Sequence, residues 1–520
     1  MTSSFPAMET LVPSLAHAFG EVLTHHAQRA CFEFQDHAVS YAETVTYVEA
    51  LAQALHNAGV SRGDVIASMF PPRPEALITL LAAAQVGATV VGLNPKLSRF
   101  ELQQIIDDTQ PKALVGGGGH GVAAEVTSLA EVSCLPHVTF GATFWTCNLE
   151  PSATGGGQFL AALGLLDTQT PAVIIHTSGS TGKPKGALIS HRGLAFRAAT
   201  MASDRFDSPP MRQIVDLPVN HIGALASGIG LSLMVGGTLY FSEKFDPRWT
   251  LALVARKQID MLSGVPTMLS ALISLPEFAS ADLSSIRYVS WGAGPLPESV
   301  LDALLMRTTA LFSQQYGMTE TNGPVSYTPP TRDKEILLHT TGYPDRRLEF
   351  RVQRNSDSAE GEILVRQPEP FLGYLNEPLA SRDVFTEDGY LHTGDVGYFR
   401  DDGYLVLCGR IKEMFKSGGY NVYPREVEQV LESHSKVRAA CVLGVPSERW
   451  GETGHAFVEL SSHIESDALI AWCSQHLANY KVPKALTIIS ALPRTSVGKV
   501  DRMALLKNIK ATAESLQTSV

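Results

Sequence analysis

Helical and strand-like segments alternate along the first part of the chain. Apolar positions recur at helical spacing in residues 41–58, and short β-rich runs follow at 64–70 and 88–93. A further apolar run at 171–175 leads into a polar loop, and a second strand-like run follows at 187–190. Helices that alternate with buried strands are typical of α/β domains. The pattern therefore predicts an α/β fold of layered sheets and helices.

The same alternation continues through the middle of the chain. Residues 286–291, 310–313 and 362–365 are predicted strands, and residues 297–307 are a predicted helix that a proline opens. These segments extend the α/β pattern over several subdomains of one large N-terminal unit.

The pattern changes near Gly409. Residues 424–433 and 467–478 are predicted helices, and residues 438–445 are a predicted strand. A unit of about one hundred residues is within the usual size range of a domain. We therefore predict a large domain at 1–409 and a small α+β domain at 410–520.

Two glycine clusters interrupt the pattern at 116–119 and 155–157. Neither lies in the strand–loop–helix context of a phosphate-binding loop. We predict that both are surface turns.

Composition limits the classes of partner. The 520 residues indicate a multidomain protein, and the formal net charge of −11 argues against a nucleic-acid-binding surface. An anionic ligand must therefore be held locally, by a few cations, a metal ion or backbone amides. The six cysteines show neither zinc-site spacing nor disulfide density, and we find no signal peptide or membrane span. A cytoplasmic protein is expected.

A polar loop at 176–186 (HTSGSTGKPKG) carries the strongest chemical signal. Glycines let backbone amides turn toward an anion, hydroxyls donate further hydrogen bonds and lysines add charge, so the loop can hold phosphate. It differs from a Walker A loop because Pro184 follows Lys183 and a strand follows. The alternative is a polar hairpin turn. The candidate phosphate-binding residues are Thr177, Ser178, Gly179, Ser180, Thr181, Gly182, Lys183 and Lys185.

This loop resembles the signature of the adenylate-forming superfamily, which includes acyl-CoA and aryl-CoA synthetases. Further segments similar to family motifs follow in the expected order over nearly the whole chain: 217–223 (LPVNHIG), 292–297 (GAGPLP), 315–320 (QYGMTE), 392–395 (HTGD), 409–413 (GRIKE), 416–426 (KSGGYNVYPRE) and 493–499 (PRTSVGK). The resemblance implies a large N-terminal adenylation domain and a small, mobile C-terminal lid domain.

The resemblance also implies the nucleotide-binding residues. Thr319 is expected at the α-phosphate, Glu320 at Mg²⁺, and Tyr316 near the adenine. Asp395 is expected to bind both ribose hydroxyls, with Arg410 as a further donor. A flat glycine-rich wall against the purine completes the predicted ATP- and AMP-binding set, which adds Gly292, Ala293, Gly294 and Gly317.

The acid-binding pocket is implied by motif positions as well. His221 is expected between the nucleotide and acyl sites, in a segment too rich in glycine to begin an ordinary helix. The bulky Trp291 either narrows the pocket or packs beneath it. An apolar pocket for an aromatic or medium-length acid is predicted from these positions: His221, Gly223, Ser227, Trp291, Gly292, Gly317, Gly323 and Pro324.

The small domain is expected to serve both half-reactions. By resemblance, Lys499 is the catalytic lysine of adenylation, and the catalytic set is Lys499, His221, Thr319 and Glu320. On composition alone, Lys499 would be a solvated lysine. A hinge is expected at Lys412, and the predicted coenzyme A segment consists of Lys416, Ser417, Gly418 and Gly419.

The resulting hypothesis is an enzyme that uses ATP, Mg²⁺ and coenzyme A to convert a carboxylic acid to an acyl-AMP and then to a thioester. Three alternatives remain open: a ligase that loads a carrier protein, an oxygen-using luciferase relative, and a non-catalytic nucleotide-binding relative. The expected partners are the acid, ATP and coenzyme A, and a homodimer is left open.

Overall fold

The computed structural model describes residues 12–117, 120–140, 152–177, 184–205, 212–354, 359–417, 420–447, 449–495, 499–507 and 509. The strands are β1 Ala30–Phe34, β2 His37–Ser40, β3 Val65–Met69, β4 Thr89–Leu93, β5 Ala113–Gly117, β6 His137–Phe140, β7 Pro171–Thr177, β8 Lys185–Ser190, β9 Arg212–Val215, β10 Thr238–Phe241, β11 Met261–Gly264, β12 Tyr288–Trp291, β13 Leu311–Met318, β14 Gly323–Tyr327, β15 Tyr343–Pro344, β16 Glu349–Gln353, β17 Gly361–Arg366, β18 Leu391–Phe399, β19 Leu405–Arg410, β20 Phe415–Ser417, β21 Tyr420–Val422, β22 Val437–Ser447, β23 Gly451–Leu460 and β24 Ala485–Ile489.

The α-helices are α1 Leu15–His26, α2 Tyr41–Asn57, α3 Pro74–Val86, α4 Arg99–Thr109, α5 His120–Ser133, α6 Gly157–Leu163, α7 His191–Arg205, α8 Leu231–Val235, α9 Pro247–Lys257, α10 Pro266–Ile273, α11 Glu298–Arg307, α12 Lys334–His339, α13 Pro378–Asp383, α14 Pro424–Glu432 and α15 Ser466–His476. A π-helix spans Gly223–Gly230, and short 3₁₀ helices span Pro276–Ala279 and Thr319–Thr321.

Local sequence explains where several helices begin and end. Ser40 caps α2: its hydroxyl accepts the Glu43 amide hydrogen, and the Glu43 carboxylate accepts from the Ser40 amide. Ser98 and Glu101 make the same reciprocal pair at α4. Gly87 ends α3 at a φ of +74°, a left-handed conformation that glycine adopts without strain.

Two sheets form the body of the large domain. One has six strands in the order β6-β5-β3-β4-β7-β8, and all neighbours are parallel except β7 and β8. The other has nine strands in the order β15-β14-β13-β12-β11-β9-β10-β1-β2 and is parallel through its centre. Parallel strands align their carboxyl ends, so loops from several strands meet at one edge.

Apolar residues fill three layers around these sheets. The largest core lies between them and includes residues of α1, α2, α3 and α7 together with both sheets. A second core packs α9, α10 and α11 on the outer face of the nine-stranded sheet. A third packs α4 and α5 on the outer face of the six-stranded sheet. This layering confirms the predicted α/β architecture.

Two smaller sheets follow along the chain. Strands β16 to β19 form an antiparallel four-stranded sheet in chain order. Strands β20 to β24 form a separate sheet, on which α14 and α15 bury apolar residues such as Val427, Leu431 and Leu469. The large and small parts of the chain therefore have separate cores, while the boundary at 409/410 stays a prediction, since β19 runs through Arg410.

Three sequence predictions need correction. Gly116 and Gly117 are buried in β5 and are not in a surface turn; a Cβ on Gly116 would lie 2.2 Å from Val126, so close helix packing requires the glycine. The strand predicted at 310–313 continues to Met318 because β14 pairs with its second half. The segment after His221 is helical from Gly223 onward, as a π-helix. Among the described residues, no helix is both long and apolar enough to span a bilayer.

Candidate active site

Asp395 and Arg410 face each other across β18 and β19. The Arg410 Nε atom lies 2.7 Å from Asp395 Oδ1, and the Tyr316 hydroxyl donates to Asp395 Oδ2 at 2.7 Å. Only 4% of Asp395 is exposed. Burial, and then the charge of Asp395, raise the pKa of Tyr316 well above its usual value. The predicted ribose-binding pair thus lies directly beside the predicted adenine-binding tyrosine.

The glycine-rich wall lies between β12 and β13. Ala293 has a φ of +68°, and a Cβ on Gly292 would lie 3.0 Å from the Gln315 side chain. A Cβ on Gly317 would lie 2.2 Å from the Gly323 carbonyl oxygen across the β13–β14 pair. Gly292 and Gly317 must stay small because neighbouring atoms already occupy the space of a side chain, whereas a Cβ on Gly294 would meet only Pro266, at 3.9 Å.

Glu320 lies in the 3₁₀ turn Thr319–Thr321 and is 7% exposed. The hydroxyl of Tyr374 donates to its Oε1 atom at 2.7 Å. The Lys185 ammonium lies 5.3 Å from the Tyr374 ring centroid, within cation–π range. Tyr374 therefore connects the signature loop to the candidate metal-binding carboxylate.

Of the eight predicted phosphate-binding residues in the signature loop, the structure describes two, Thr177 in β7 and Lys185 in β8. Thr177 pairs with Lys185, and its hydroxyl lies 3.5 Å from the Lys185 carbonyl oxygen. Six predicted phosphate-binding residues lie outside the described residues: Ser178, Gly179, Ser180, Thr181, Gly182 and Lys183.

His221 follows a turn in which its amide donates to the Pro218 carbonyl at 3.1 Å. Burial lowers the pKa of His221 to about 4, and the positive charge of Lys499 acts in the same direction. The imidazole is therefore neutral at pH 7. A Cβ built on Gly223 meets no atom within 4 Å, so the space beside Gly223, two residues after His221 in the chain, is open.

The other predicted acyl-pocket residues differ in their surroundings. Trp291 is fully buried in the core beneath α10 and α11, which favours packing beneath the pocket over narrowing it. Ser227 is buried, with its hydroxyl 3.6 Å from the Met201 sulfur. Gly323 has a φ of +124°, and Pro324 pairs with Gly317.

Lys499 lies in the small domain, where backbone hydrogen bonds join the described residues before and after it. The Thr495 amide donates to the Lys499 carbonyl at 2.7 Å, and the Asp501 amide donates to the Pro493 carbonyl at 2.7 Å. Burial lowers the pKa of Lys499, and the charge of Arg410 lowers it further.

Three carboxylates act in the opposite direction on the Lys499 ammonium: Asp395, Glu320 and Glu413 raise its pKa in part. Because these groups and His221 all interact electrostatically with Lys499, the predicted catalytic lysine lies near the predicted nucleotide-binding residues and near His221. A solvated tail lysine would not be buried in this way.

The predicted coenzyme A segment lies elsewhere in the small domain. Lys416 and Ser417 belong to β20, where Ser417 is buried beside Gly451 and the Lys416 amide donates to Glu452 at 2.8 Å. None of their described contacts reaches Lys499. Gly418 and Gly419 lie outside the described residues.

The predicted hinge residue Lys412 lies in the turn between β19 and β20. This turn is tied to the large domain by the Ile411 amide, which donates to the Gly394 carbonyl at 2.9 Å. It is tied to the small domain by Glu413, whose carboxylate lies 3.4 Å from the Arg502 guanidinium.

Sequence reasoning missed Tyr374 and Arg502. Tyr374 reaches Glu320 only because its segment bridges to β8 at Ala187. Arg502 also lies 2.7 Å from Glu428 of α14. No spacing rule connects residues so distant in sequence.

The candidate metal site has one protein carboxylate. Among the described residues, no group of three or more histidine, cysteine, aspartate or glutamate side chains could hold a metal ion. A hard cation that keeps water and phosphate oxygens as its other ligands needs no such group. Glu320 fits a site of that kind.

Comparisons with known proteins agree over most of the chain. Residues 19–375 match the AMP-binding enzyme family, and residues 426–499 match the AMP-binding enzyme C-terminal domain. Feruloyl-CoA synthase of Amycolatopsis sp is 35% identical over 470 residues, which cover 89% of this chain and 92% of that protein. 2-Succinylbenzoate–CoA ligase of Bacillus licheniformis is 31% identical over 483 residues, covering 90% and 95%.

A solved structure is similar throughout. The o-succinylbenzoate CoA synthetase of Bacillus subtilis, in complex with the acyl-adenylate intermediate OSB-AMP, superposes with a TM-score of 0.80 at 27% identity. The match covers 94% of this chain and 97% of that one.

Proposed function

Because this chain belongs to the AMP-binding enzyme family, we propose that it is an acid–CoA ligase that activates an aromatic or medium-chain carboxylic acid. It forms an acyl-AMP with release of pyrophosphate and then transfers the acyl group to coenzyme A. The similar proteins named as CoA ligases support this class of reaction. The observation that carries the proposal is the burial of Lys499 among Arg410, Asp395 and Glu320.

In the first half-reaction, a carboxylate oxygen of the acid attacks the α-phosphorus of ATP. The new bond joins carboxyl oxygen to phosphorus, and the bond to the β-phosphate oxygen breaks, so pyrophosphate leaves. The protein positions the reactants and offsets negative charge in such a transfer. Lys499 supplies the charge at the reacting carboxylate and α-phosphate, beside Thr319.

The nucleotide is held from two sides. Asp395 accepts hydrogen bonds from the ribose hydroxyls once Tyr316 and Arg410 have positioned its carboxylate. The wall at Gly292, Ala293 and Gly294 lets a purine ring approach the backbone closely. The signature loop holds the outgoing phosphates, through Thr177, Lys185 and the six residues between Thr177 and Pro184.

Glu320 would hold Mg²⁺ at the phosphates of ATP, and the ion would neutralise phosphate charge there. The Tyr374 hydroxyl donates to one carboxylate oxygen of Glu320, which leaves the other oxygen for the ion.

In the second half-reaction, the thiolate sulfur of coenzyme A attacks the acyl carbon. The carbon–sulfur bond forms, the bond from that carbon to the phosphate oxygen breaks, and AMP leaves. Because β20 lies apart from Lys499, the small domain must rotate about Lys412 to bring Lys416 to Gly419 to the acyl-AMP. Domain closure is a common way to separate catalytic steps.

The cellular location and the partners of the enzyme are inferred from its net charge and from the pattern of its cysteines. We propose a cytoplasmic enzyme whose partners are the acid, ATP and coenzyme A and do not include nucleic acid. The net charge of −11 supports the exclusion of nucleic acid. Whether two copies associate is measured by light scattering of the purified chain.

Lys499→Ala tests the proposal. The variant should lose pyrophosphate release by about 10²- to 10³-fold, the usual effect of removing one group that stabilises transition-state charge. It should still convert chemically prepared acyl-AMP and coenzyme A to the thioester, because that step does not use Lys499.

The matched control is Lys436→Ala, which removes another lysine of the small domain, whose ammonium donates to the His463 carbonyl. Both half-reactions should proceed at wild-type rates in this control. Pyrophosphate release at the wild-type rate in Lys499→Ala would contradict the assignment. A purified chain that released pyrophosphate with none of a broad panel of acids would contradict the proposed function.

A further inference from the structure

The strand β18 contains a bulge that includes Asp395. Between His392 and Val396 this strand has three residues where its partner β17 has one. The middle residue of the three, Gly394, has a φ of +69°. A β-bulge bends its strand and redirects the side chains next to it, and such bulges are common beside active sites. The geometry of this bulge therefore determines where the Asp395 carboxylate points.

The carboxylate of Glu362, in β17, holds the bulge by both of its oxygens. The Gly394 amide donates to Oε1 at 3.0 Å, and His392 Nδ1 lies 2.9 Å from Oε2. Because a carboxylate only accepts hydrogen bonds, Nδ1 is the donor. The Glu362 side chain is 15% exposed. A bulge leaves extra residues unpaired in the ladder, so Glu362 supplies the acceptor that the Gly394 amide needs.

Asp395 is joined to the same bulge through its backbone. The Asp395 amide donates to the Thr393 hydroxyl at 3.1 Å, and the Gly394 carbonyl accepts from the Ile411 amide at 2.9 Å. Ile411 lies in the turn that the proposed rotation of the small domain would move. Glu362 belongs to the sheet that carries Asp395, so its bond to Gly394 does not depend on the orientation of the small domain.

We propose that Glu362 is a positioning residue for the nucleotide: it fixes the Gly394 peptide and thereby directs the Asp395 carboxylate toward both ribose hydroxyls. Glu362 acts through Asp395, whereas Tyr316 and Arg410 hold the Asp395 carboxylate directly. This inference rests on the proposed ligase function, because Asp395 meets a ribose only if ATP binds at this site.

A purely structural role for Glu362 makes a different prediction. Loss of a bond that only stabilises the four-stranded sheet would weaken the binding of every nucleotide alike. Loss of a bond that directs Asp395 weakens only those nucleotides that carry the ribose hydroxyls. The ratio of two nucleotide affinities therefore separates the two roles.

The experiment measures Kd for ATP and for 2′,3′-dideoxyATP by isothermal titration calorimetry on the purified full-length chain, with Mg²⁺ and without an acid. The ribose ratio is the Kd of the dideoxy nucleotide divided by that of ATP. A site that hydrogen-bonds a hydroxyl rejects the analogue that lacks it, because the buried acceptor is left unpaired. The wild-type ratio should be about 10², and Asp395→Ala should bring it close to one.

Glu362→Ala should lower the ribose ratio about tenfold while the Kd of the dideoxy nucleotide stays near its wild-type value. Glu362→Gln keeps an oxygen that can accept from the Gly394 amide and should keep most of the ratio. The double variant Glu362→Ala/Asp395→Ala should have the same ratio as Asp395→Ala, since residues that act through one contact are not additive.

The matched control is Glu349→Ala. Glu349 lies on β16 of the same sheet, and its carboxylate also holds another strand, by accepting from the Tyr390 hydroxyl at 2.9 Å. This variant should keep the wild-type ribose ratio, even if its melting temperature falls as far as that of Glu362→Ala.

Several outcomes overturn the inference. One is a Glu362→Ala variant that binds both nucleotides more weakly by the same factor. Others are a Glu362→Gln ratio as low as that of Glu362→Ala, or a double variant whose ratio falls below that of Asp395→Ala. Should Glu362→Ala not fold, Glu362→Asp shortens the side chain by one methylene, and an unchanged ratio there overturns the inference. A wild-type chain that binds neither nucleotide contradicts the underlying ligase function instead.

Discussion

At the scale of single residues, Tyr374 contacts both Glu320 and Lys185, the two charged residues at the ends of the candidate phosphate site. Its hydroxyl holds Glu320, and its ring faces the Lys185 ammonium. Tyr374→Phe keeps the ring and removes the hydroxyl. We expect adenylation to slow about tenfold, since a hydrogen bond to a charged group contributes roughly 1.5–3 kcal/mol. The effect is measured as the rate of pyrophosphate release at varied Mg²⁺ concentrations. We expect the variant to need more Mg²⁺ than the wild type to reach half of its maximal rate.

The control for this prediction is Tyr390→Phe. The Tyr390 hydroxyl also donates to a carboxylate, Glu349, at 2.9 Å, but on the four-stranded sheet away from Glu320. Equal adenylation rates in Tyr374→Phe and Tyr390→Phe would mean that the hydrogen bond from Tyr374 to Glu320 contributes to protein stability and not to adenylation.

His191 gives a pH-dependent prediction at the same scale. Burial lowers its pKa from 6.5 to about 4, the nearby His17 charge acts in the same direction, and Asp167 acts against both. Because burial lowers the pKa of His191, the folded protein binds this proton more weakly than the unfolded chain does. The corresponding stability, about 3 kcal/mol, is present above pH 6.5 and is lost as the pH falls toward 4.

Urea denaturation of the wild type and His191→Gln between pH 7 and pH 4.5 checks this sign. The stability of the wild type should fall faster with decreasing pH than that of the variant, whose side chain does not titrate. The exposed His25→Gln is the control and should follow the wild type. Parallel curves for the wild type and His191→Gln would contradict the prediction.

Which site residues a sequence can predict depends on how their chemistry is encoded. Lys499, Asp395 and Glu320 lie in contiguous motifs whose residue types already suit phosphate and ribose. Tyr374 acts through a contact that the bridge between its segment and β8 makes possible, across segments that share no spacing, so the pattern of the chain carries no signal for it.

At the scale of elements, the β13–β14 pair depends on one glycine. A Cβ on Gly317 would lie 2.2 Å from the Gly323 carbonyl oxygen and 2.6 Å from Pro324. Because these atoms belong to the backbone, Gly317→Ala must separate the two strands and disturb Tyr316. We expect the melting temperature to fall by several degrees and the KM for ATP to rise.

Gly223→Ala is the matched substitution at an open position. A Cβ there meets no atom within 4 Å, so the melting temperature should stay at the wild-type value while the choice of acid changes. A Gly317→Ala variant as stable as Gly223→Ala would show that the strands can absorb the methyl group.

The prediction of elements succeeded where local sequence defines the element. The helix predicted at 41–58 is α2, Tyr41–Asn57, because the spacing of its apolar residues and its capping box indicate the same helix. It failed where tertiary contacts decide. Gly116 and Gly117 form a strand because α5 packs against them, and the strand from Leu311 extends to Met318 because β14 pairs with it.

At the scale of the whole molecule, Lys499 of the small domain is buried near Asp395 and Glu320, which is the orientation that the proposed adenylation step requires. The proposed thioester step then requires a rotation about the turn at Lys412. Lys412→Pro fixes φ near −65° and restricts this turn. We expect acyl-AMP to form and coenzyme A transfer to fall sharply, as measured by single-turnover assays of each half-reaction.

Lys412→Ala is the control, because it removes the side chain and leaves the backbone free to turn. Loss of transfer in both variants would assign the effect to the lysine side chain, whereas normal transfer in Lys412→Pro would place the hinge elsewhere in the linker.

The four-stranded sheet that carries Asp395 and Arg410 is continuous in the chain, from Glu349 to Arg410, and its strands pair in chain order. Recombination with relatives at two junctions, near residues 345 and 411, would therefore exchange the whole predicted ribose-binding element without dividing any strand pair of this sheet. The new junctions would have to preserve the bonds that tie Leu405 to residues 341 and 342. The proposed nucleotide binding could then be altered as a cassette, separately from the acid pocket that we propose at His221 and Gly223.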